Sequence, residues 1–311
     1  MAYPNDPPAP SGMTLTSNTL NNNLVAFYPM TDGSGNITDI SGNGYDGVAT
    51  ASPTWTTTTK GTAPVFASGS RFEVPQAMWN DNVSGGTEWS VSGWYNATAV
   101  NTDQTVGINV FDGVGGGFLL RFDGGTSRLQ VLTTHGGFMQ TLASSVVSQA
   151  GVWEHFAATL DMTGEAKIYL NKVLVRTHTF STRTFTTCTD DPAIGASTSG
   201  IRAFGGNKQN IRLFNRILSL SDVETLYDDP WAGTDYSPNE STSNVNLMDP
   251  AVLKPAWVSG SNLKPGVTTS AYTGGTPSSA DELKPSLVDS EGNLKPSITD
   301  SDGNLKPSLK K

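Results

Sequence analysis

Between Leu24 and Tyr227 the chain alternates apolar and polar residues in short runs, cut by clusters of Gly, Asn and Asp. The clearest runs are LVAFYPM (24–30), RFEVP (71–75), WSVSGWYNA (89–97), GFLLRFD (117–123) and RLQVLTT (128–134). WEHFAATLD (153–161), AKIYLNKVLV (166–175) and NIRLFNR (210–216) follow. A period of two sends successive side chains to opposite faces, so such runs predict strands with one face buried. The intervening DGSGN, SGNGYDG, FDGVGGG, FDGGTS and THGG supply the positive-φ residues that tight connections need. Many short strands at roughly even spacing predict an all-β, antiparallel jelly-roll sandwich. One helix is expected in LSLSDVETLYDDP, with Ser221 and Glu224 at capping-box spacing and Pro230 barring its continuation.

Outside this body the pattern changes. Residues 1–20, rich in Pro, Ser and Asn, predict an extended arm; 21–231 the sandwich; 232–249 a linker; and 250–311 a repeat tail. The tail repeats Leu-Lys-Pro at Leu253, Leu263, Leu283, Leu294 and Leu305. Its last units read as a turn (DSEGN, DSDGN) followed by an extended arm, since a residue before proline is pushed out of the helical region. In that geometry Leu294, Pro296 and Ile298 point one way. A unit of about 11 residues cannot bury its own apolar stripe, so these positions are expected to dock on neighbours or on a partner. Repeated weak arms gain avidity, which suits anchoring or homo-oligomerisation.

Charge sharpens the division. The chain of 311 residues carries a net −9. Residues 250–311 hold seven Lys and six acidic residues, or +1, which leaves −10 for residues 1–249. An acidic body argues against nucleic acid as a partner, because such binding needs cations to displace phosphate counterions. A single cysteine, Cys188, excludes an intrachain disulfide. The N-terminal MAYPNDPPAPSGM lacks the basic and apolar regions of a secretion signal, which predicts synthesis in the cytoplasm. No stretch approaches the roughly 20 apolar residues of a membrane span.

Candidate chemistry is sparse. Glycosidases on such sandwiches need closely spaced carboxylates on one strand, and no Glu-x-Asp-x-x-Glu run occurs. Asp222, Glu224 and Asp228 fall on the expected helix as solvated surface. His155, between Trp153 and Phe156, reads as a packed histidine, and His135 and His178 have no partner at metal-ligand spacing. A non-enzymatic protein without an obligate cofactor is therefore expected. Asp39, Asn43 and Asp46 offer oxygens at short spacing for a structural Ca2+, although the same residues form turns without one. Tyr45, Trp55 and Trp79 lie in loop-like stretches and are the candidates for stacking on sugar rings.

Taken in order, five phrases resemble the laminin-G-like branch of the concanavalin A-like sandwiches. They are LVAFYPMTDGSGNITDISGNGYDG (24–47), FASGSRFEVP (66–75), WSVSGWYNA, GVWEHFAATLDMTGEAKIYLNKVLV (151–175) and IGASTSGIRAFGGNKQNIRLFNRILSLSDVETLY (194–227). The resemblance implies the jelly roll and a role as glycan binder, adhesion module or spacer. Gln209 and Asn210 stand where many relatives carry acidic residues, which removes charge from a family-type calcium site. The ending RILSLSDVETLYDDPWA resembles those of tailed-phage structural proteins. That implies a virion location, in a capsid-decorating or fibre protein, with virion proteins, sister subunits and a host glycan as partners. An extracellular bacterial glycan-binding adhesin is the alternative, and the missing signal discriminates against it.

Overall fold

The structure is a computed structural model that describes residues 13–59, 61–110, 116–135, 138–179, 182 and 184–235, with six two-residue strands in the tail. The body's strands are β1 (Leu24–Tyr28), β2 (Val48–Thr50), β3 (Thr54–Thr58), β4 (Gly61–Phe66), β5 (Arg71–Glu73), β6 (Glu88–Ala97), β7 (Gln104–Asn109) and β8 (Gly116–Asp123). They continue with β9 (Arg128–His135), β10 (Phe138–Val147), β11 (Trp153–Asp161), β12 (Glu165–Leu170), β13 (Val173–Thr179), β14 (Ala193–Ile194) and β15 (Gly206–Phe214). Two short helices interrupt them, α1 (Gln76–Asn80) and α2 (Leu220–Asp228). One sheet runs β13-β12-β11-β6-β15-β4-β3, with β1 also on β15; the other runs β10-β9-β8-β7-β14-β5-β2. The sandwich expected from the alternation is therefore present.

Its core lies where the inward positions of the two sheets meet. Val91, Tyr95, Phe156, Leu160, Ile211 and Leu213 of the eight-stranded sheet share one buried cluster with Phe72, Ile108, Phe118, Leu120, Phe122 and Val131 of the seven-stranded one. Each such large side chain contributes about 1.5–3 kcal/mol by leaving water. The run AKIYLNKVLV divides into β12 and β13 because Asn171 and Lys172 both take positive φ, 49° and 60°. Two consecutive left-handed residues make the two-residue turn that matches strand twist.

The helix α2 begins two residues earlier than its sequence suggests. Ser219, not Ser221, is the cap: its side chain accepts from the Asp222 N–H while the Asp222 side chain accepts from the Ser219 N–H. Arg216 adds a 2.8 Å bond to the same carboxylate, and this shared acidic partner fixes the register. The frame then turns Val223, Leu226 and Tyr227 inward. Val223 and Leu226 join Phe27, Ala157 and Phe214 on the outer face of the eight-stranded sheet, with Met13, Leu20, Trp231 and Ala232. Among the described residues Met13 already packs in this cluster, and the Thr14 N–H donates to Asp235 Oδ1 at 2.8 Å.

Residues Glu240–Lys311 form a separate compact unit. In it Val258–Ser259 pairs with Asn262–Leu263, Leu287–Val288 with Leu294–Lys295, and Ile298–Thr299 with Leu305–Lys306, all antiparallel. Each pairing is two residue pairs long. Leu263, Leu294, Ile298 and Leu305 lie on these ladders, whereas Leu253, Leu283 and Pro296 lie outside the described residues. Among the described residues no helix is long and apolar enough to cross a membrane.

Candidate functional site

Since Phe72, Ile108, Phe118, Leu120, Phe122, Leu129 and Val131 face the core, the alternate residues of the same strands form the outer face of the seven-stranded sheet. The register sets Glu73, Ala193, Asn109, Leu119 and Leu132 side by side in one row across β5, β14, β7, β8 and β9. Arg121 and Gln130 pair in the neighbouring row. Ion pairs hold the guanidinium groups of this face. Arg71 donates through Nε to Glu73 Oε1 at 2.8 Å. Arg121 bonds Gln130 Oε1 through Nε and Asp103 Oδ2 through Nη1, each at 2.7 Å.

Asn109, Gln130, Leu119 and Leu132 of this face are buried, which leaves the two partly exposed guanidinium groups, Arg71 and Arg121, as its oriented donors for a ligand rich in hydroxyl groups. Fixed forks lose little entropy when they bind. The nearby carboxylates are not free for catalysis: Glu73 is held by Arg71, and Asp103 also accepts from the Gly124 N–H at 2.9 Å. These residues were not singled out from the sequence. The signal was there in RFE and FLLRFD, whose polar members fall between inward phenylalanines.

The predicted sugar-stacking aromatics are placed differently. Trp79 is fully buried, edge-to-face with Trp89 at 5.2 Å and Phe185 at 5.3 Å, and its indole N–H donates to the Thr186 carbonyl. It is a core residue, which corrects the expectation; the short α1 turns it inward. Trp55 is half-buried on β3, its ring 6.1 Å from Phe72. Tyr45 is half-buried too, and its hydroxyl accepts from Asn82 at 2.9 Å. Both pack against the core from separate elements.

The Asp39 turn is built on its own donors. Asp39 Oδ1 accepts from the N–H groups of Phe27 and Ser41, and Oδ2 from the Tyr45 N–H and the Ser41 hydroxyl. Asp46 accepts from the Asp39 N–H at 2.7 Å, and the Asn43 amide donates to the Val25 carbonyl at 2.9 Å. Both Asp39 oxygens and Asp46 Oδ1 thus face protein donors, as in an Asx turn. Among the described residues no group of three or more His, Cys, Asp or Glu is placed to hold a metal ion.

Buried titratable groups serve the sandwich. Burial raises the Glu154 carboxyl against the opposing bonds from Gln149, Tyr95 and Asn171, and Tyr95 donates to it at 2.8 Å between the sheets. The Lys208 ammonium donates to the carbonyls of Thr105 and Val106 and lies 4.1 Å from the Phe204 ring centre; burial holds it well below the ordinary lysine value. His155 shares a 2.9 Å bond with the Ser92 hydroxyl and lies under Trp94 and Tyr227. Burial first, then the Arg212 charge, lowers it to about 3. A serine and histidine at this distance could suggest a nucleophile pair, but Ser92 is 2% exposed and His155 1%. His155 is packed, as its sequence context predicts.

The family model described as the concanavalin A-like lectin/glucanases superfamily matches residues 66–224. Among solved structures, the chain is similar to domain 4 of AbnA, an extracellular arabinanase from Geobacillus stearothermophilus, in complex with arabinotriose. The two share 22% identity and a TM-score of 0.54 over 66% of this chain and 98% of that one. It is also similar to the binding domain of the Paraclostridial Mosquitocidal Protein 1, at 15% identity and a TM-score of 0.52 over 67% of this chain. The receptor binding domain of botulinum neurotoxin D gives 15% identity and a TM-score of 0.50 over 68%. This chain spans about half of each toxin domain, 52% and 53%. No curated protein matches.

Proposed function

We propose a binding rather than a catalytic role for this chain, which belongs to the concanavalin A-like lectin/glucanases superfamily. The ligand is a glycan, lying against Arg71 and Arg121 of the seven-stranded sheet. The named similarities include a domain in complex with arabinotriose, and the face supplies planar donors fixed by their own ion pairs. Arg121→Ala is expected to weaken glycan binding at least tenfold on an array and by titration. Arg121 lies outside the buried core, so its melting temperature should stay within a few degrees of the parent. Unchanged binding would move the site elsewhere, and a blank array with the parent chain would reject the glycan.

The finer reading is a structural protein of a tailed-phage virion, capsid-decorating or fibre in type, fixed through its repeat tail with the sandwich outward. One observation supports it: the tail holds three antiparallel strand pairs of only two residue pairs each, the last two of them in the same register. Isolated hairpins are marginal in water even when longer, so units this small call for a surface to lean on. Deleting residues 250–311 is expected to reduce the mass seen by light scattering to that of one chain, and to abolish co-sedimentation with phage particles. A full chain that is monomeric and ignores particles would reject this reading.

A further inference from the structure

The outer face of the eight-stranded sheet is covered only in part. Val223, Leu226 and Trp231 close it over around Ala157 and Phe214. Further along the same strands the register lays out one row across five of them. Trp153 of β11 stands opposite Asn96 of β6, and Asn96 opposite Asn207 of β15. Asn207 in turn faces Val65 of β4, and Val65 faces Thr54 of β3. All five are half-buried or exposed. The next residues on four of these strands, Glu154, Tyr95, Lys208 and Phe66, turn into the sandwich and are buried, as alternation requires. Gly206 keeps the two amides side by side. Its φ is +128°, and a Cβ there would overlap the Asn96 carbonyl oxygen, so any side chain would push β15 away from β6.

The Trp153 end of the row has a rigid footing. Trp94 and Tyr227 stack with ring centres 5.4 Å apart and 26° between their planes, and Trp153 packs against this pair. The Lys172 ammonium lies 4.9 Å from the Tyr227 ring centre and bonds Asp228 at 2.6 Å, which braces the stack from the helix side. An indole so backed, and still half-open to water, is a preformed apolar platform whose negative π-cloud attracts C–H groups. The amides supply the polar half. Asn207 Nδ2 donates to the Pro64 carbonyl at 3.1 Å, which orients that group. Asn96 brings a second amide on the adjoining strand, about 4.8 Å away. Each amide joins donors and an acceptor in one plane, the complement of neighbouring hydroxyl groups.

We infer a second carbohydrate site here, on the sheet opposite Arg71 and Arg121, that takes an uncharged sugar. The sugar's apolar ring face lies against Trp153 and its hydroxyl groups on Asn96 and Asn207. Charge decides the class of occupant. No residue of the row is charged, and Lys172 beside it is already paired with Asp228, so an anionic glycan would find no partner. A protein surface would need far more apolar area than one indole provides. Val65 and Thr54 extend the floor for a further sugar residue. The inference shares with the proposed function only the class of ligand, and a site on each sheet lets one chain bridge two glycans.

The test screens the full chain on a glycan array and titrates it by calorimetry with neutral trisaccharides of glucose, xylose and arabinose. Trp153→Ala should weaken the uncharged glycans by about tenfold or more, and Trp153→Phe should recover part of the loss. Asn96→Ala should weaken them severalfold at an unchanged melting temperature, since Asn96 is half-buried and outside the apolar clusters. Arg121→Ala should spare them. If Asn96→Ala binds like the parent and Trp153→Ala loses binding only as its melting temperature collapses, the site is wrong. If every glycan is lost in Arg121→Ala and kept in Trp153→Ala, this inference alone falls. The reverse pattern upholds it and removes the Arg71–Arg121 site. A parent chain that binds no glycan overturns both.

Discussion

Arg212→Met is expected to destabilise the body by about 3–5 kcal/mol in urea unfolding, the range for breaking a buried charged hydrogen-bond set. Arg212 is 1% exposed on β15. Its Nη1 donates to the Ala232 carbonyl at 2.6 Å and Nη2 to the Pro230 carbonyl at 2.8 Å, and the guanidinium lies 3.9 Å from the Phe27 ring centre. One fork thus satisfies two carbonyls just past α2, where Pro230 ends helical pairing. Methionine fills similar space but leaves both acceptors dry. Burial lowers the guanidinium to about 9, with Asp229 opposing, so it is charged at neutral pH. Arg212→Lys should recover little, because a single ammonium cannot reproduce the fork. A loss under about 1 kcal/mol for Arg212→Met would contradict this account.

The second large effect is acid sensitivity through His155. Its folded value near 3 lies below the ordinary 6.5, so the unfolded chain takes up the proton first as the pH falls. The stability His155 contributes is complete above pH 6.5 and is lost progressively toward pH 3, by about 1.4 kcal/mol per pH unit and roughly 5 kcal/mol in all. The groups around it offer no counter-charge. Ser92 and Trp94 face it from β6, Tyr227 from α2, Arg212 from β15, and the Asn171 side chain binds its N–H. Glu154 works in the opposite sense, since its raised carboxyl gains relative stability as the pH falls. The comparison with His155→Gln therefore isolates the histidine. The variant should be less stable at neutral pH but lose less between pH 6.5 and 3. Parallel curves for the two proteins would contradict the assignment.

Much of the sandwich was legible because alternation reports burial on one face. WEHFAATLD became β11 residue for residue, and GFLLRFD and RLQVLTT became the neighbours β8 and β9. The missed strands lack that signal. TWTTT of β3 is half-exposed at a sheet edge, and QTVGIN of β7 is buried on every residue, so neither alternates. The candidate site was hidden for a related reason. Arg71, Asn109 and Arg121 are far apart in sequence, and only the crossover that lays β14 between β5 and β7 brings their strands together. Aromatic character misled where it was used alone: Trp79 has the composition of a sugar platform and the environment of a core. The helix cap slipped by two residues because Ser219-x-x-Asp222 and Ser221-x-x-Glu224 both fit, and only Arg216 distinguishes them.

The joint in which the Thr14 N–H donates to Asp235 Oδ1 at 2.8 Å and the Asp235 N–H returns to the Thr14 carbonyl at 2.9 Å also decides how the body carries mechanical load. The two short strands run antiparallel, and both chain extensions leave from the same end of their pairing. Tension applied to both extensions together draws the strands in one direction, so the bonds share the force. Traction on the tail alone draws Asp235 away from Thr14 and peels the pairs in succession, toward the Arg212 fork. A doubly held sandwich resists rupture that a singly held one would not.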